Sequence, residues 1–217
     1  MAAPRHEHLD DSVRGRALIS DNASGHVLAS TIELSFWGGV EPSTGEVIDR
    51  FHPLSTRLLR DTILVIPGGR GSCGGSAVIL ELIFNGLGPR ALVFERREDI
   101  ITFGVIVAEE LFERSIPILV LGHEDFCKVL AWDGSIAHIC GSTISRSTTP
   151  ANDGEAQKGS TAHPERTNVT LSDSGHTLLA FTHGEAARVS MRILVRLADM
   201  LGAESFNDTT QAHADLA

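Results

Sequence analysis

"TILVIPGGRGSCGGSAVILELIF", residues 62–84, decides how this chain is read. Thr62 to Ile66 is an apolar run too short for a helix and closed by Pro67-Gly68. Such a run predicts a strand buried on both faces, as in a parallel sheet. From Ser76 to Phe84 the apolar residues cover a helix face, and Asn85-Gly86 supplies the stop. Between the two lies a loop holding Gly68, Gly69, Gly71, Gly74 and Gly75. Loops this rich in glycine let the backbone approach something closely.

Working outward, the downstream chain repeats the alternation. "ALVFE" (91–95), "IPILVLG" (116–122) and "GSIAHIC" (134–140) read as strands. Helices are predicted near 103–112 and over 124–130. Strands alternating with helices imply a partly parallel sheet. Upstream, "GRALIS" (15–20) and "HVLASTIELSF" (26–36) alternate apolar and polar residues and predict strands. "GGVEPSTGE" (38–46) is turn material, and "VIDRFHPL" (47–54) is a short strand and bend. This β-rich first third excludes a plain βαβ repeat. The expected fold is α/β, a three-layer β/β/α domain.

The ends differ in character. Residues 1–12 form a polar arm, expected to be disordered. Residues 142–170 are dense in Ser, Thr, Gly, Asn and Pro, the composition of a flexible linker. Residues 171–203 are expected to be helical, with Ser172 or Asp173 as cap and Gly202 as stop. Val189, Ile193, Leu197 and Leu201 make the apolar stripe, and Arg188, Arg192 and Arg196 the polar row.

The bulk numbers restrict function. The chain has 217 residues, 42% hydrophobic and 21% charged, which suits one domain with extra material or two small domains. Its net charge is −10 and it has no Lys/Arg-rich run, so nucleic acid is not expected as a partner. No stretch reaches the ~18 apolar residues of a membrane span. "MAAPRHEHLDD" lacks the apolar core of a secretory signal. The cysteines, Cys73, Cys127 and Cys140, are odd in number and lack CxxC spacing. That argues for reduced thiols in a cytoplasmic protein, without a disulfide framework or a zinc site. The 10 histidines show no ligand spacing.

The glycine loop admits three readings. Gly69-Arg70-Gly71-Ser72-Cys73-Gly74 matches G-x-G-x-x-G, and Glu95 ends the next strand where a ribose partner would stand, as in a dinucleotide-binding module. Alternatively the glycines only turn the chain, with Ser72 or Ser76 capping the helix. In the third reading the helix N-terminus attracts an anion and Arg70 offers a fork to a carboxylate. Ser72 stands in that positive field, where its alkoxide becomes less costly and can take a proton. Trp37, Gly38 and Gly39 either line a substrate mouth or form a buried anchor and bend. Asp49 and His52 are an acid/base pair or a polar bend.

"LSFWGGVEPSTGEVIDRFHPL" (34–54) followed by "ILVIPGGRGSCGGSAVILELIFNGLGPRALVF" (63–94) resembles the small, swivelling domain of aconitase X. Its relatives include the small subunit of archaeal phosphomevalonate dehydratase and cis-3-hydroxyproline dehydratase. The WGG, ExSTGxVID, HPL and RGS motifs occur in family order, and the resemblance covers roughly residues 12–141. A second segment, "LSDSGHTLLAFTHGEAARVSMRILVRLADMLGAESF" (171–206), resembles the opening of the large catalytic part of the same family, with Ala212-His213-Ala214-Asp215 at the place of a "saHID"-like segment.

The resemblance implies a hydro-lyase that dehydrates a small hydroxy acid. It assigns Ser72 as the proton acceptor. Arg70 and Gly71 match the loop that meets substrate, with Cys73 standing where relatives often carry Ser or Thr, and Gly38, Gly39 and Ser76 complete the expected substrate-binding set. It also implies an iron–sulfur cluster as Lewis acid in the catalytic part, and no cofactor or metal on this chain. The organisation it predicts is an arm at 1–12, a swivel domain at 13–141, a linker at 142–170 and a truncated start of the catalytic domain at 171–217. The chain is then inactive until it meets the catalytic part, in trans or within a longer chain, or else it is a non-catalytic truncated remnant.

Overall fold

A computed structural model describes residues 11–147, with 169–171, 177–179 and Ile193. The chain enters through β1 (Ser12–Arg14), passes Gly15, and continues as β2 (Arg16–Ile19) and β3 (Asn22–Ala29). Three two-residue strands follow: β4 (Leu34–Ser35), β5 (Val40–Glu41) and β6 (Glu46–Val47). The apolar run is β7 (Thr62–Ile66), and the glycine loop contributes β8 (Gly69–Arg70) before α1 (Gly75–Phe84). Then come β9 (Ala91–Phe94), α2 (Asp99–Phe112), β10 (Ile118–Val120), α3 (His123–Leu130), β11 (Ile136–Cys140) and β12 (Thr143–Arg146).

Eight of these strands form one sheet, in the order β1-β12-β11-β3-β7-β9-β10-β2. Its centre is parallel: β7 pairs with β3 on one side (Ile63 opposite Val27) and with β9 on the other (Ile63 opposite Ala91), and β9 pairs with β10. The flanking pairs are antiparallel. β1 and β2 stand at opposite ends of this order, yet only Gly15 separates them in sequence. An open eight-stranded sheet would hold its edges roughly 30 Å apart, and one residue spans at most about 3.6 Å. The sheet therefore curls until its edges meet at Gly15. The Gly15 N–H donates to the Ser142 carbonyl at 2.8 Å, while a Cβ at Gly15 would stand 2.6 Å from the Val120 oxygen.

Alternation along the strands divides two apolar sets. Ile63, Val65, Ala91, Val93, Leu119, Ala137 and Ile139 share one core cluster with Phe126 and Val129 of α3 and with Trp132. Leu64, Ile66, Leu92, Phe94 and Ile118 point the other way and are equally buried. α1 and α2 are the crossover helices after β7 and β9, and they bury Val78, Ile79, Leu82, Ile101, Val105 and Ala108. An eight-stranded mixed sheet with helices α1, α2 and α3 is the mixed α/β fold expected from the sequence.

Four boundaries differ from the sequence reading. Asp11 and Ser12 belong to the domain: Ser12 pairs with Ser145, and Arg146 Nε donates to the Asp11 carboxylate at 2.9 Å. Residues 1–10 of the expected arm lie outside the described residues. Within the expected strand 26–36, residues 30–33 leave the sheet. The domain does not end at 141, because β12 pairs with both β11 and β1 and buries Ile144 completely. Finally, Val169–Leu171 (β13) and Thr177–Leu179 (β14) pair antiparallel, in a second unit of the chain, where residues 171 and 177–179 were expected to be helical. Val169, Thr170 and Thr177 are β-branched, and "SDSGH" between them has turn composition. Of the predicted helical stripe only Ile193 is described, and it is helical; Ser172, Asp173, the arginine row and residues 212–215 lie outside the described residues.

Candidate active site

The site is built where β7 ends. Pro67 and Gly68 carry the chain out of the sheet, and β8 pairs in parallel with β4, Leu34 opposite Gly69 and Ser35 opposite Arg70. This small pairing brings the tryptophan segment against the glycine loop. Phe36 is the buried anchor of that segment, and Trp37 is exposed, so the indole is a wall and not an anchor. Its ring lies over the glycine loop, 2.8 Å from where a Cβ on Gly74 would stand. β5 and β6 then pair across the turn and return the chain to Asp49.

Ser35, Trp37, Gly38, Gly39, Asp49, Arg70 and Gly71 line a cleft of about 460 Å³. Gly71 has φ +103°, and a Cβ there would come 3.0 Å from the Ser35 hydroxyl. Only glycine fits both demands. Arg70 Nη2 donates to Asp49 Oδ2 at 2.8 Å, and Asp49 Oδ1 accepts the Phe51 N–H at 3.0 Å. Asp49 is thus held by the backbone and in turn holds the guanidinium. It is the partner of Arg70 among the described residues, and the rest of the fork faces the cleft. One carboxylate leaves a guanidinium donors enough for a second.

Of the residues predicted to bind or react, Gly38, Gly39, Arg70 and Gly71 share this cleft. Ser72 comes next along the loop and is exposed. Its Oγ accepts the Gly74 N–H at 3.2 Å, at the entrance to α1. Cys73 is exposed beside it, and its carbonyl accepts the Ser76 hydroxyl at 2.7 Å. Neither serine caps α1: the N-cap is Gly74, with no side-chain bond, and tight backbone turns such as Gly75 N–H to the Ser72 oxygen (3.2 Å) serve the first donors. The pair Asp49–His52 is not formed. His52 is buried, its Nδ1 accepting the Leu54 N–H at 3.1 Å, so Nε2 carries the proton and donates to the Ile32 carbonyl at 3.2 Å. Its role is to hold the bend.

Two residues escaped the sequence reading. Ser35 enters the cleft through the β4–β8 pairing, and its hydroxyl donates to the Trp37 carbonyl at 2.8 Å. Glu98 is buried beneath Gly69, with Oε2 accepting the Ile101 N–H at 2.6 Å and so capping α2. Burial pushes its carboxyl above the usual range, against the opposing pull of backbone N–H donors. The signal was an acidic residue just before an apolar helical run, hidden in the charged "ERRED" stretch.

No three His, Cys, Asp or Glu side chains among the described residues converge on a point that would hold a metal. Cys73, Cys127 and Cys140 sit on a loop, a helix and a strand. No described helix is long and apolar enough to cross a membrane.

The aconitase X swivel domain model matches residues 12–144. This chain belongs to the aconitase X swivel-domain family. The cis-3-hydroxy-L-proline dehydratase of Hypocrea jecorina is 46% identical over 98% of this chain and 35% of its own length. That of Pseudomonas aeruginosa is 42% identical over 97% of this chain and 35% of its own length. The chain therefore spans about a third of these relatives. The phosphomevalonate dehydratase small subunit of Methanothermobacter thermautotrophicus is 42% identical over 53% of this chain and 83% of its own. Aconitase X of Thermococcus kodakaraensis superimposes with a TM-score of 0.53 at 28% identity, covering 63% of this chain and 98% of that one. A swivel domain places the glycine loop outside a dinucleotide fold. Here the G-x-G-x-x-G match opens on strand β8, and Glu95, the supposed ribose partner, lies 2.5 Å from His123 Nδ1.

Proposed function

We propose that this chain is the swivel part of an aconitase X-type hydro-lyase that dehydrates a small hydroxy acid of the cis-3-hydroxyproline kind, with Ser72 as proton acceptor. The observation that carries the substrate class is the reach of the likeness. Identity to the two cis-3-hydroxy-L-proline dehydratases runs through at least 97% of the chain, whereas the phosphomevalonate dehydratase small subunit accounts for 53%. Residues beyond the swivel domain thus share a plan with the hydroxyproline enzymes. In this reading 171–217 begin the catalytic part, which meets the swivel domain in the same chain or in trans, in the cytoplasm.

The chemistry asked of this chain is positioning and proton removal. Arg70, fixed by Asp49, takes the substrate carboxylate on the open side of its fork. Trp37 forms a flat wall, and Gly71 lets backbone approach the ligand. Ser72 Oγ takes the proton from the carbon beside the carboxylate. The Gly74 N–H at 3.2 Å and the N-terminus of α1 favour the oxygen in its charged form. An iron–sulfur cluster borne by the catalytic part supplies the Lewis acid for the departing hydroxyl. The 217-residue chain is expected to be inactive alone.

Ser72→Ala in the enzyme complete with its catalytic part tests this. Removing a proton acceptor is expected to lower kcat by roughly 10²- to 10⁴-fold. The melting temperature should not change, because Ser72 is exposed. Wild-type turnover by the folded variant would remove Ser72 from the role.

A further inference from the structure

Away from the cleft, three side chains of complementary chemistry meet beyond two neighbouring parallel strands. Glu95 directly follows β9, and His123 opens α3 just after β10. Cys127 lies four residues further along α3, so helix geometry places it on the same face as His123. His123 Nδ1 stands 2.5 Å from Glu95 Oε1, and His123 Nε2 stands 3.9 Å from Cys127 Sγ. The order is carboxylate, imidazole, thiol. An acceptor as close as Glu95 keeps the ring proton on Nδ1 and leaves the Nε2 lone pair facing the sulfur. His123 and Cys127 are both exposed, so a reagent can reach the thiol. Cys73 and Cys140 are exposed too, but neither has an imidazole within bonding reach among the described residues.

We propose that Cys127 is an activated thiol that undergoes reversible exchange with a low-molecular-weight disulfide. His123 Nε2 accepts the thiol proton. The thiolate attacks one sulfur of the disulfide, a new sulfur–sulfur bond forms at Cys127, and the original one breaks. The departing thiolate takes the proton back from the imidazolium. One disulfide is consumed and one is formed, so no further oxidant is required. Glu95 is a positioning residue that orients the ring and balances its charge. The other charged side chains of α3 are Glu124, Asp125 and Lys128, with Lys128 bound to Asp125 at 2.7 Å, and β1, which packs against α3, carries Arg14.

The 217-residue chain carries its own internal controls. Under limiting iodoacetamide at neutral pH, mass spectrometry should show Cys127 alkylated about tenfold faster than Cys73 or Cys140. With oxidised glutathione, a mixed disulfide should form first at Cys127 and be released by dithiothreitol. His123→Gln should bring Cys127 down to the rate of the other two. Glu95→Gln, which keeps an acceptor for Nδ1 but loses the charge, should give an intermediate rate. Equal rates at the three cysteines of the wild type, or an unchanged Cys127 rate in His123→Gln, would overturn the proposal. So would selective alkylation with no mixed disulfide at Cys127.

Discussion

Arg70 shows how a single side chain can be held and still remain available. Its Nη2 is committed to Asp49 at 2.8 Å, yet half of the side chain is exposed to the cleft. A lysine at this position can satisfy Asp49 or reach a ligand carboxylate, but it cannot present a planar fork to both. Arg70→Lys in the complete enzyme is therefore expected to raise KM about tenfold or more with a smaller effect on kcat. Steady-state kinetics checks this, and a KM left at the wild-type value would separate Arg70 from substrate. Arg70 was singled out in the sequence as a fork for a carboxylate and Gly71 through the family resemblance, and the structure sets both on the cleft. Asp49 was read with His52 as an acid/base pair or a polar bend; the bend is what forms, and the pairing with Arg70 was not foreseen. His52 is three positions away, whereas Arg70 is 21 positions away and is brought close by the pairing of β4 with β8. Ser35 gave no signal at all, since its place depends wholly on that pairing.

Elements with long apolar runs, β7 and α1 above all, could be read directly, because burial on both faces leaves a pattern no loop imitates. β12 could not. It follows a turn in which Gly141 adopts φ +57°, and its sequence "TISR" carries one large apolar residue, Ile144. Period-two alternation needs more residues than that to stand out from a linker. The start of α2 gives a test at this scale. Glu98 caps the helix while buried, and burial raises its pKa above the ordinary value of 4.5. A folded-state pKa above the unfolded one means that the native state binds the proton more tightly. The stabilising contribution is then fully present below about 4.5 and is lost as pH rises through the raised value. Glu98→Gln keeps an oxygen for the Ile101 N–H and removes the titration. In chemical denaturation, the stability of the variant relative to wild type should improve as pH is raised from below 4.5 to neutrality. A pH-independent difference would show that Glu98 is not titrating in a desolvated site.

The described fold explains how an exposed apolar rim can be tolerated beside the cleft. Closure at Gly15 joins the sheet edges, so the core is completed without help from the cleft face, and apolar side chains there are spare. Trp37 lines the cleft at 61% exposure, and Ile48 and Phe51 flank Asp49 at 44% and 98%. A phenylalanine left almost wholly in water contributes nothing to folding, and exposed apolar groups gathered around a site mark surfaces that another body covers. Asp49 ties this rim to the chemistry: one oxygen holds the Phe51 backbone and the other holds Arg70. In the proposed enzyme the covering body is the catalytic part. Burying a phenylalanine is worth about 1.5–3 kcal/mol, which corresponds to roughly 10- to 100-fold in association. Phe51→Ser should therefore leave the melting temperature of the 217-residue chain unchanged, because no internal contact is lost. It should lower turnover in the complete enzyme by a factor within that range. A variant that melts earlier on its own, or that retains full turnover with the catalytic part present, would show that Phe51 is not covered in the assembled enzyme.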